Sequence, residues 1–142
     1  SPALQKGIKM TGATLAFRRR AMGIPKGHVA ARLGVSKDTL NDWESGRVPV
    51  PDDAAESVTK WWRRFVDRVM SGIDGTLELL FEEGEEACDG VTIHAYRTPE
   101  EHAADEGGGE TLYEHSAVVA AIMTGLALHG VNVRAEWKEN IK

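Results

Sequence analysis

What the sequence lacks already narrows the range of functions. Its 142 residues contain a single cysteine, Cys88, so no disulfide can form within the chain, and a reducing compartment such as the cytoplasm is expected. No apolar run approaches the roughly 20 residues that a membrane-spanning helix needs, so we expect a soluble protein with no membrane partner. We also expect no secretory signal, because no charged leader is followed by an apolar core and a cleavage site.

Motifs of catalysis are missing as well. The sequence contains no nucleophile elbow, phosphate-binding loop or dinucleotide fingerprint. Four histidines have spacings that match no standard zinc pattern: His94, His102, His115 and His129. The acidic run at residues 82–86 lacks the apolar surroundings that would raise a carboxyl pKa, so it predicts a solvated turn. We therefore expect neither an enzyme nor a metal or cofactor site.

The charge of the chain is unevenly distributed. Its formal net charge of −5 by itself argues against a nucleic-acid partner. Residues 1–50, however, carry nine basic and three acidic side chains, a net +6, whereas residues 51–142 carry eight and nineteen, a net −11. Charge runs are usually just solvated surface, but a basic head on an acidic body directs the head toward phosphate. Together with the motif that follows, this asymmetry favours nucleic acid.

The most informative stretch has the outline of two short helices joined by a glycine turn. The first is expected to have Pro25 at its first position and to end at Gly34, which tolerates a left-handed backbone. Ser36 is a typical N-cap for the second helix, and Leu40 and Trp43 give that helix a core-facing side. This outline predicts a helix-turn-helix, which presents one helix to the major groove of DNA.

An earlier helix completes a small bundle. Leu15, Phe17, Met22 and Ile24 supply its apolar residues, and Thr11 is expected to be its N-cap. The element order of the head is therefore helix, helix, turn, helix.

The residues of this head and their spacing resemble those of a known family. Residues 30–36, followed by Thr39-Leu40, Trp43-Glu44 and Ser45-Gly46-Arg47, are similar to Cro/repressor-type (XRE) helix-turn-helix regulators. Residues 43–53 and the later layout of the chain more narrowly resemble the anti-CRISPR-associated, YdiL-like regulators. The broader likeness covers about the first third of the chain, and the narrower one most of the rest. It implies a dimeric repressor of its own operon, phage and anti-CRISPR operons included, and some members also bind RNA.

Position on the second helix predicts which side chains reach DNA. Those expected to read bases are Lys37, Asp38, Asn41 and Asp42. Asn41 is expected to form two hydrogen bonds with adenine, Lys37 to donate to guanine, and either aspartate to accept from the amino group of cytosine. Contacts to the DNA backbone are expected from Arg20, Lys26, His28, Arg32, Ser36, Thr39 and Arg47. At least one of the three arginines at 18–20 is expected to be ordinary solvated surface, and the two aspartates depart from the family's usual glutamine- and arginine-rich helix.

Residues 52–84 predict one long helix, because apolar side chains recur at steps of three and four. The pattern keeps its phase across Gly72 and Gly75, which favours continuity over a kink. Asp52 or Asp53 is expected to cap the start. The apolar stripe is larger than the head can cover, so either the C-terminal third or a second subunit must cover it.

The C-terminal third, residues 85–142, predicts a β-α-α-β unit. Strands are expected at 91–96 and 131–137, and we infer that they pair with each other in a sheet that could in addition extend across a dimer. Between them we expect one helix that starts at Thr98 and a second, rich in small residues, over 111–128. The predicted dimer interface combines this second helix with the long one: Trp62, Val69, Ile73, Leu77, Val118, Ala121, Ile122 and Gly125.

The predicted fold is mainly α. It has a disordered arm or expression remnant at 1–9, a helix-turn-helix domain at 10–51, a long connecting helix at 52–84 and a small dimerisation unit at 85–142. The leading hypothesis is a homodimeric repressor on an inverted repeat in double-stranded DNA, with half-sites about 34 Å apart. One alternative is an antitoxin-like or adaptor protein whose acidic half binds another protein. The other adds RNA binding by the head. Few exposed aromatic residues are expected near the basic ones for stacking on bases, which argues against it.

Overall fold

The computed structural model of the protein describes residues 9–83, 91–106 and 111–138. Within them the chain is mainly helical, as expected, and it divides into two compact units, residues 1–64 and 65–142. In chain order the elements are α1 (Gly12–Ala21), α2 (Lys26–Leu33), α3 (Lys37–Glu44), α4 (Asp52–Glu83), β1 (Val91–Ala95), α5 (Pro99–Glu106), α6 (Leu112–Leu128) and β2 (Val133–Trp137). No helix in the described ranges is both long and apolar enough to cross a bilayer. The predicted N-terminal arm through residue 8, Cys88 and the acidic run beyond Glu83 lie outside these ranges.

In the first unit, α1 and α2 both pack against α3. The largest fully buried side chains at their centre are Leu15, Ile24, Val29 and Leu40. The predicted cap of α1 is confirmed, since Thr11 Oγ1 accepts a hydrogen bond from the Thr14 amide at 3.0 Å.

The apolar face predicted for α1 is wrong at Phe17, which is 67% exposed. At 100° per residue, Leu15, Ala16 and Arg19 share the inward side of the helix, and Phe17 falls on the opposite side. Met22 is buried, but it follows α1 as its C-cap. The inward side of α1 therefore carries an arginine, Arg19, beside Leu15 and Ala16.

The ends of α2 largely follow from local sequence. Gly34 takes the predicted left-handed conformation, with φ 69°. Pro25 lies one position earlier than expected: its backbone is extended and its carbonyl accepts the Val29 amide at 3.1 Å, which makes Lys26 the first helical residue. The α2 helix consequently begins with a basic side chain.

α4 runs without interruption through Gly72 and Gly75, which confirms the predicted continuity. Its first hydrogen bond joins the Ala55 amide to the Pro51 carbonyl at 2.9 Å. The two aspartates expected as alternative caps therefore lie inside the first turn. The helix dipole still favours their negative charge there.

In the second unit, β1 and β2 form a parallel two-stranded sheet, with Val91 beside Val133 and Ala95 beside Trp137. Parallel neighbours need a crossover connection, and α5 and α6 lie within it. The predicted pairing of the two strands is confirmed. The α6 helix packs on both strands. The buried core cluster of this unit consists of Leu80, Leu126 and Val131.

Two glycines bring the second half of α4 close to α6. A Cβ atom on Gly72 would meet the side chain of Ile122, and one on Gly125 would meet that of Ile73. Each glycine thus receives an isoleucine from the other helix. Both isoleucines, with Leu77, also pack against the core cluster of the same chain.

Gly125 of α6 therefore mediates packing within one chain. Of the other residues predicted at a dimer interface, Val118 is buried, whereas Val69 and Ala121 are half-buried. Their role between two chains stays a prediction.

A third glycine brings two backbones together in the first unit. A Cβ atom on Gly12, the first residue of α1, would collide with the carbonyl oxygens of Trp43 and Glu44 at the end of α3. Backbone atoms cannot move aside as the tip of a flexible side chain can. Gly12 thus allows the start of α1 to lie directly against the end of α3.

We predict that Gly12→Ala lowers the free energy of unfolding by about 1–3 kcal/mol, because one of the two helices must shift. The matched control is Gly75→Ala, a helical position where an added Cβ meets nothing within 4 Å. That change should be neutral or stabilise by up to about 1 kcal/mol. Urea unfolding followed by circular dichroism measures both variants. Equal stability of Gly12→Ala and the wild type would contradict the close backbone approach.

Candidate nucleic-acid interface

The α3 helix has one apolar and one polar face. Leu40 and Trp43 are buried in the core, as predicted, and Lys37, Asp38 and Asn41 are exposed. The polar face therefore points away from the core of the unit. This is the orientation that a helix needs if its side chains are to read the edges of bases.

The start of α3 is fixed by its cap. Ser36 Oγ accepts a hydrogen bond from the Thr39 amide at 3.1 Å, and the two side-chain hydroxyls lie 3.0 Å apart. Asp38 is in the first turn, where the helix dipole favours its charge. The predicted N-cap is thus confirmed. The DNA-backbone contacts assigned to Ser36 and Thr39 stay predictions.

A buried ion pair connects the other end of α3 to α1. Arg19 donates from Nε to Glu44 Oε2 at 2.6 Å and from Nη2 to Glu44 Oε1 at 3.1 Å. Its Nη1 also donates to the Ile24 carbonyl at 3.3 Å. The two side chains are only 10% and 6% exposed. One guanidinium therefore joins α1, the following loop and the end of α3.

The sequence alone indicates no role for this pair. Arg19 stood within a run of three arginines, and nothing in the run distinguishes it except the helical phase that it shares with Leu15. Glu44 stood among the residues of the family resemblance without a physical role. Helical phase, applied to Phe17 and Arg19 together, was the signal that could have found it.

Predicted base-reading and phosphate-binding residues meet at the start of α2. Lys26 Nζ donates to Asn41 Oδ1 at 2.8 Å. The side chain of Lys37 passes over Gly27, with its Cε 3.0 Å from where a Cβ would stand. The amides of Lys26 and Gly27, the first two of α2, belong to the same region. The result is a patch rich in hydrogen-bond donors.

One of the two predicted aspartate readers has a basic neighbour. Asp42 Oδ1 lies 3.6 Å from Nη1 of Arg47, whose side chain is 79% exposed. An exposed pair of this kind contributes little to stability, but it offsets the charge of Asp42. Asp38 has no ion pair among those found in the described residues.

Arginines of this unit also stack on aromatic rings. The distances from guanidinium carbon to ring centroid are 5.4 Å for Arg18 over Trp62, 5.7 Å for Arg20 over Phe17 and 5.5 Å for Arg32 over Trp61. Of these three rings Phe17 is exposed, whereas Trp61 and Trp62 are half-buried, so the expectation of few exposed aromatic residues near the basic ones is not contradicted in the described residues. Trp62, predicted at a dimer interface, is half-buried in this arrangement.

Two histidines of the second unit pack around an aromatic ring. His102 and His115 pack with Tyr96, and their ring centroids are 5.1 to 5.3 Å apart. In the parts of the chain that the structure describes, no three His, Cys, Asp or Glu side chains come together in a way that could hold a metal ion.

Comparison with known proteins agrees with this geometry. Residues 12–69 match the family model described as a helix-turn-helix domain. The matched range begins at α1 and includes α2, α3 and the first part of α4, and with them the interface described above. The helix-turn-helix prediction is thereby confirmed. No curated protein is significantly similar to the chain, and the narrower resemblance to YdiL-like regulators stays a prediction.

The geometry of the buried ion pair predicts a large effect of removing one partner. Glu44→Ala leaves the Arg19 charge buried without its carboxylate, so the free energy of unfolding should fall by about 3–5 kcal/mol. Arg20→Ala, which removes an exposed arginine from the same helix, should cost no more than about 1 kcal/mol. Thermal unfolding of both variants by circular dichroism tests this. Similar losses in the two variants would show that the pair does not anchor α3.

Proposed function

We propose that the protein is a sequence-specific DNA-binding transcription repressor that acts as a homodimer on an inverted repeat in its own operon. The observation that carries this proposal is the capped polar face of α3, held by the Arg19–Glu44 pair and flanked by basic side chains. It lies inside a segment similar to helix-turn-helix domains. Autoregulation and the inverted repeat are added from the family resemblance of residues 30–47.

The Lys26–Asn41 hydrogen bond limits what Asn41 can offer to a base. An ammonium group only donates, so one of the two lone pairs of the Asn41 amide oxygen is engaged, and both amide N–H groups remain for a ligand. The remaining N–H groups of Lys26 are donors too. Guanine is the base that presents two acceptors, O6 and N7, in the major groove, whereas adenine also requires an acceptor for its N6 amino group. In this proposal the donor-rich pair reads guanine, and adenine stays the alternative prediction for Asn41.

Affinity in this proposal comes mostly from residues outside α3. The basic side chains around it are exposed or half-exposed and suited to phosphate: Arg20, Lys26, His28, Arg32 and Arg47. The first amides of α2 add donors that the helix dipole makes favourable for an anion. Repression follows if a dimer on an inverted repeat occupies the promoter that RNA polymerase needs.

We expect a discrete gel-shift complex with DNA from upstream of the protein's own gene, and an affinity that falls as salt rises. Lys37→Ala combined with Asn41→Ala should weaken the complex at least about tenfold, because base-specific donors are lost. Lys60→Ala is the matched control: this exposed lysine lies on α4, 3.8 Å from Glu56, and should leave affinity unchanged. Equal binding to scrambled DNA would contradict the proposal.

The guanine assignment has its own test in selection from random duplexes. Asn41→Ala and Lys26→Ala should relax the preference at the same guanine position by about 1–3 kcal/mol. Arg47→Ala, which removes a phosphate contact, should weaken all sequences about equally. Enrichment of adenine at the position sensitive to Asn41 would refute the assignment and leave DNA binding itself intact.

A further inference from the structure

The outer edge of β2 is open in the described part of the chain, where β1 is its one sheet partner. The Lys138 amide donates to the Ala95 carbonyl at 2.6 Å, so the backbone groups of Lys138 face β1. Backbone groups of successive residues alternate between the two edges of a strand. Those of Val133, Ala135 and Trp137 therefore point away from β1.

Nothing in β2 itself prevents another strand from pairing there. Residues 133–137 contain no proline and no residue with positive φ, and each is matched one to one with β1. Residues 134–137 are all exposed. Unpaired N–H and C=O groups at such an edge are a template for a further strand.

We propose that two copies of the chain pair through β2, antiparallel, about a two-fold axis at Ala135, to form one continuous four-stranded sheet. In this register Arg134 of each copy lies opposite Glu136 of the other, and Val133 lies opposite Trp137. Every contact occurs twice, as in any interface of this symmetry. Each charged side chain of β2 thus faces one of opposite charge in the second copy.

The phase of the hydrogen bonds agrees with this register. The backbone N–H and C=O groups of Ala135 point away from β1, so the Ala135 residues of the two copies exchange a pair of hydrogen bonds. Val133 of each copy exchanges a second such pair with Trp137 of the other. Arg134 and Glu136 then occupy the positions between hydrogen-bonded pairs, where opposite side chains are closest. In the single chain Arg134 Nε already lies 3.0 Å from Glu136 Oε1 on this exposed face. Pairing exchanges that contact for two between copies.

The outer edge of β1 has no comparable complementarity. By the same alternation, only Thr92 and His94 direct their backbone groups outward there. Antiparallel pairing about Ile93 would place Thr92 opposite His94 and would create no pair of opposite charges. Pairing through β2 also covers Trp137, an aromatic side chain that is 52% exposed in the single chain. The β2 edge is therefore the one that fits a second copy.

Charge reversal at the two facing positions tests this dimer, which is the one that the proposed repressor requires. Arg134→Glu puts carboxylates opposite each other, and Glu136→Arg puts cations opposite each other. Each variant alone should self-associate roughly tenfold more weakly than wild type. In an equimolar mixture every arginine faces a glutamate, so the two variants should form a heterodimer of near wild-type affinity. Sedimentation velocity on the full-length chains, without DNA, measures all four samples.

A backbone change supplies an independent reading. Ala135→Pro removes only an outward N–H and should abolish the dimer while the chain stays folded by circular dichroism. Ala135→Ser keeps that N–H and should leave the dimer intact.

Three results would overturn the inference: a wild-type chain that is monomeric at every concentration reached, an Ala135→Pro chain that is folded and still dimeric, or single charge variants that dimerise like wild type with no gain on mixing. The last would place the interface on another surface, such as that around the exposed Phe81. None of them tests DNA binding by the head itself, which the gel shift measures separately, but a monomeric wild-type chain would also remove the homodimer from the proposed function. Loss of specific DNA binding by an intact dimer would refute the proposed function alone.

Discussion

The buried ion pair between Arg19 and Glu44 holds the end of α3 against α1. At eight residues, α3 is too short to be stable alone, and it gives the core only two large side chains. Glu44 also occupies the last turn, where the helix dipole disfavours a negative charge. Its carboxylate is compensated by the bidentate contact with Arg19, which lies in the last turn of α1, where the dipole favours a cation. The pair thus offsets the unfavourable carboxylate at the end of α3 with the guanidinium at the end of α1, where a cation is favourable.

Gly12 acts at the same junction from the other end of α1. Because it lacks a Cβ atom, the start of α1 lies against the backbone of Trp43 and Glu44, and two turns later Arg19 reaches the Glu44 carboxylate and the Ile24 carbonyl. The contacts at both ends of α1 therefore involve the last turn of α3. None of these groups belongs to the exposed polar face. Substitutions at Gly12 or Arg19 would consequently change DNA binding through the position and stability of α3, without removing a contact to DNA.

The features that could be predicted from the sequence are local ones. Caps such as Thr11 and Ser36 and the left-handed Gly34 depend on residues within a few positions, so their signals are complete in the sequence. Contacts between distant residues are not: Lys26 and Asn41 were both named as DNA-contact residues, but nothing in the sequence pairs them. The alternation in β1 and β2 predicted that they pair and could not decide between parallel and antiparallel. Likewise Gly125 predicts that another helix lies close, but a glycine does not indicate which helix that is. In the structure it is α4 of the same chain, through Ile73.

The charges of α3 separate specificity from affinity in the proposed complex. The helix carries one lysine against Asp38, Asp42 and Glu44, so by itself it repels phosphate. Glu44 is neutralised by Arg19 and Asp42 is offset by Arg47, which leaves Asp38 as the acidic group facing a ligand. On a DNA sequence without cytosine at this position, the Asp38 carboxylate would lose its water and gain no hydrogen-bond donor. On the specific site, the amino group of cytosine would donate a hydrogen bond to it. Attraction from the surrounding basic residues is the same for every sequence, so the acidic group weakens non-specific complexes more than the specific one. An acidic residue on the reading face is thus consistent with a protein that must find one site among many.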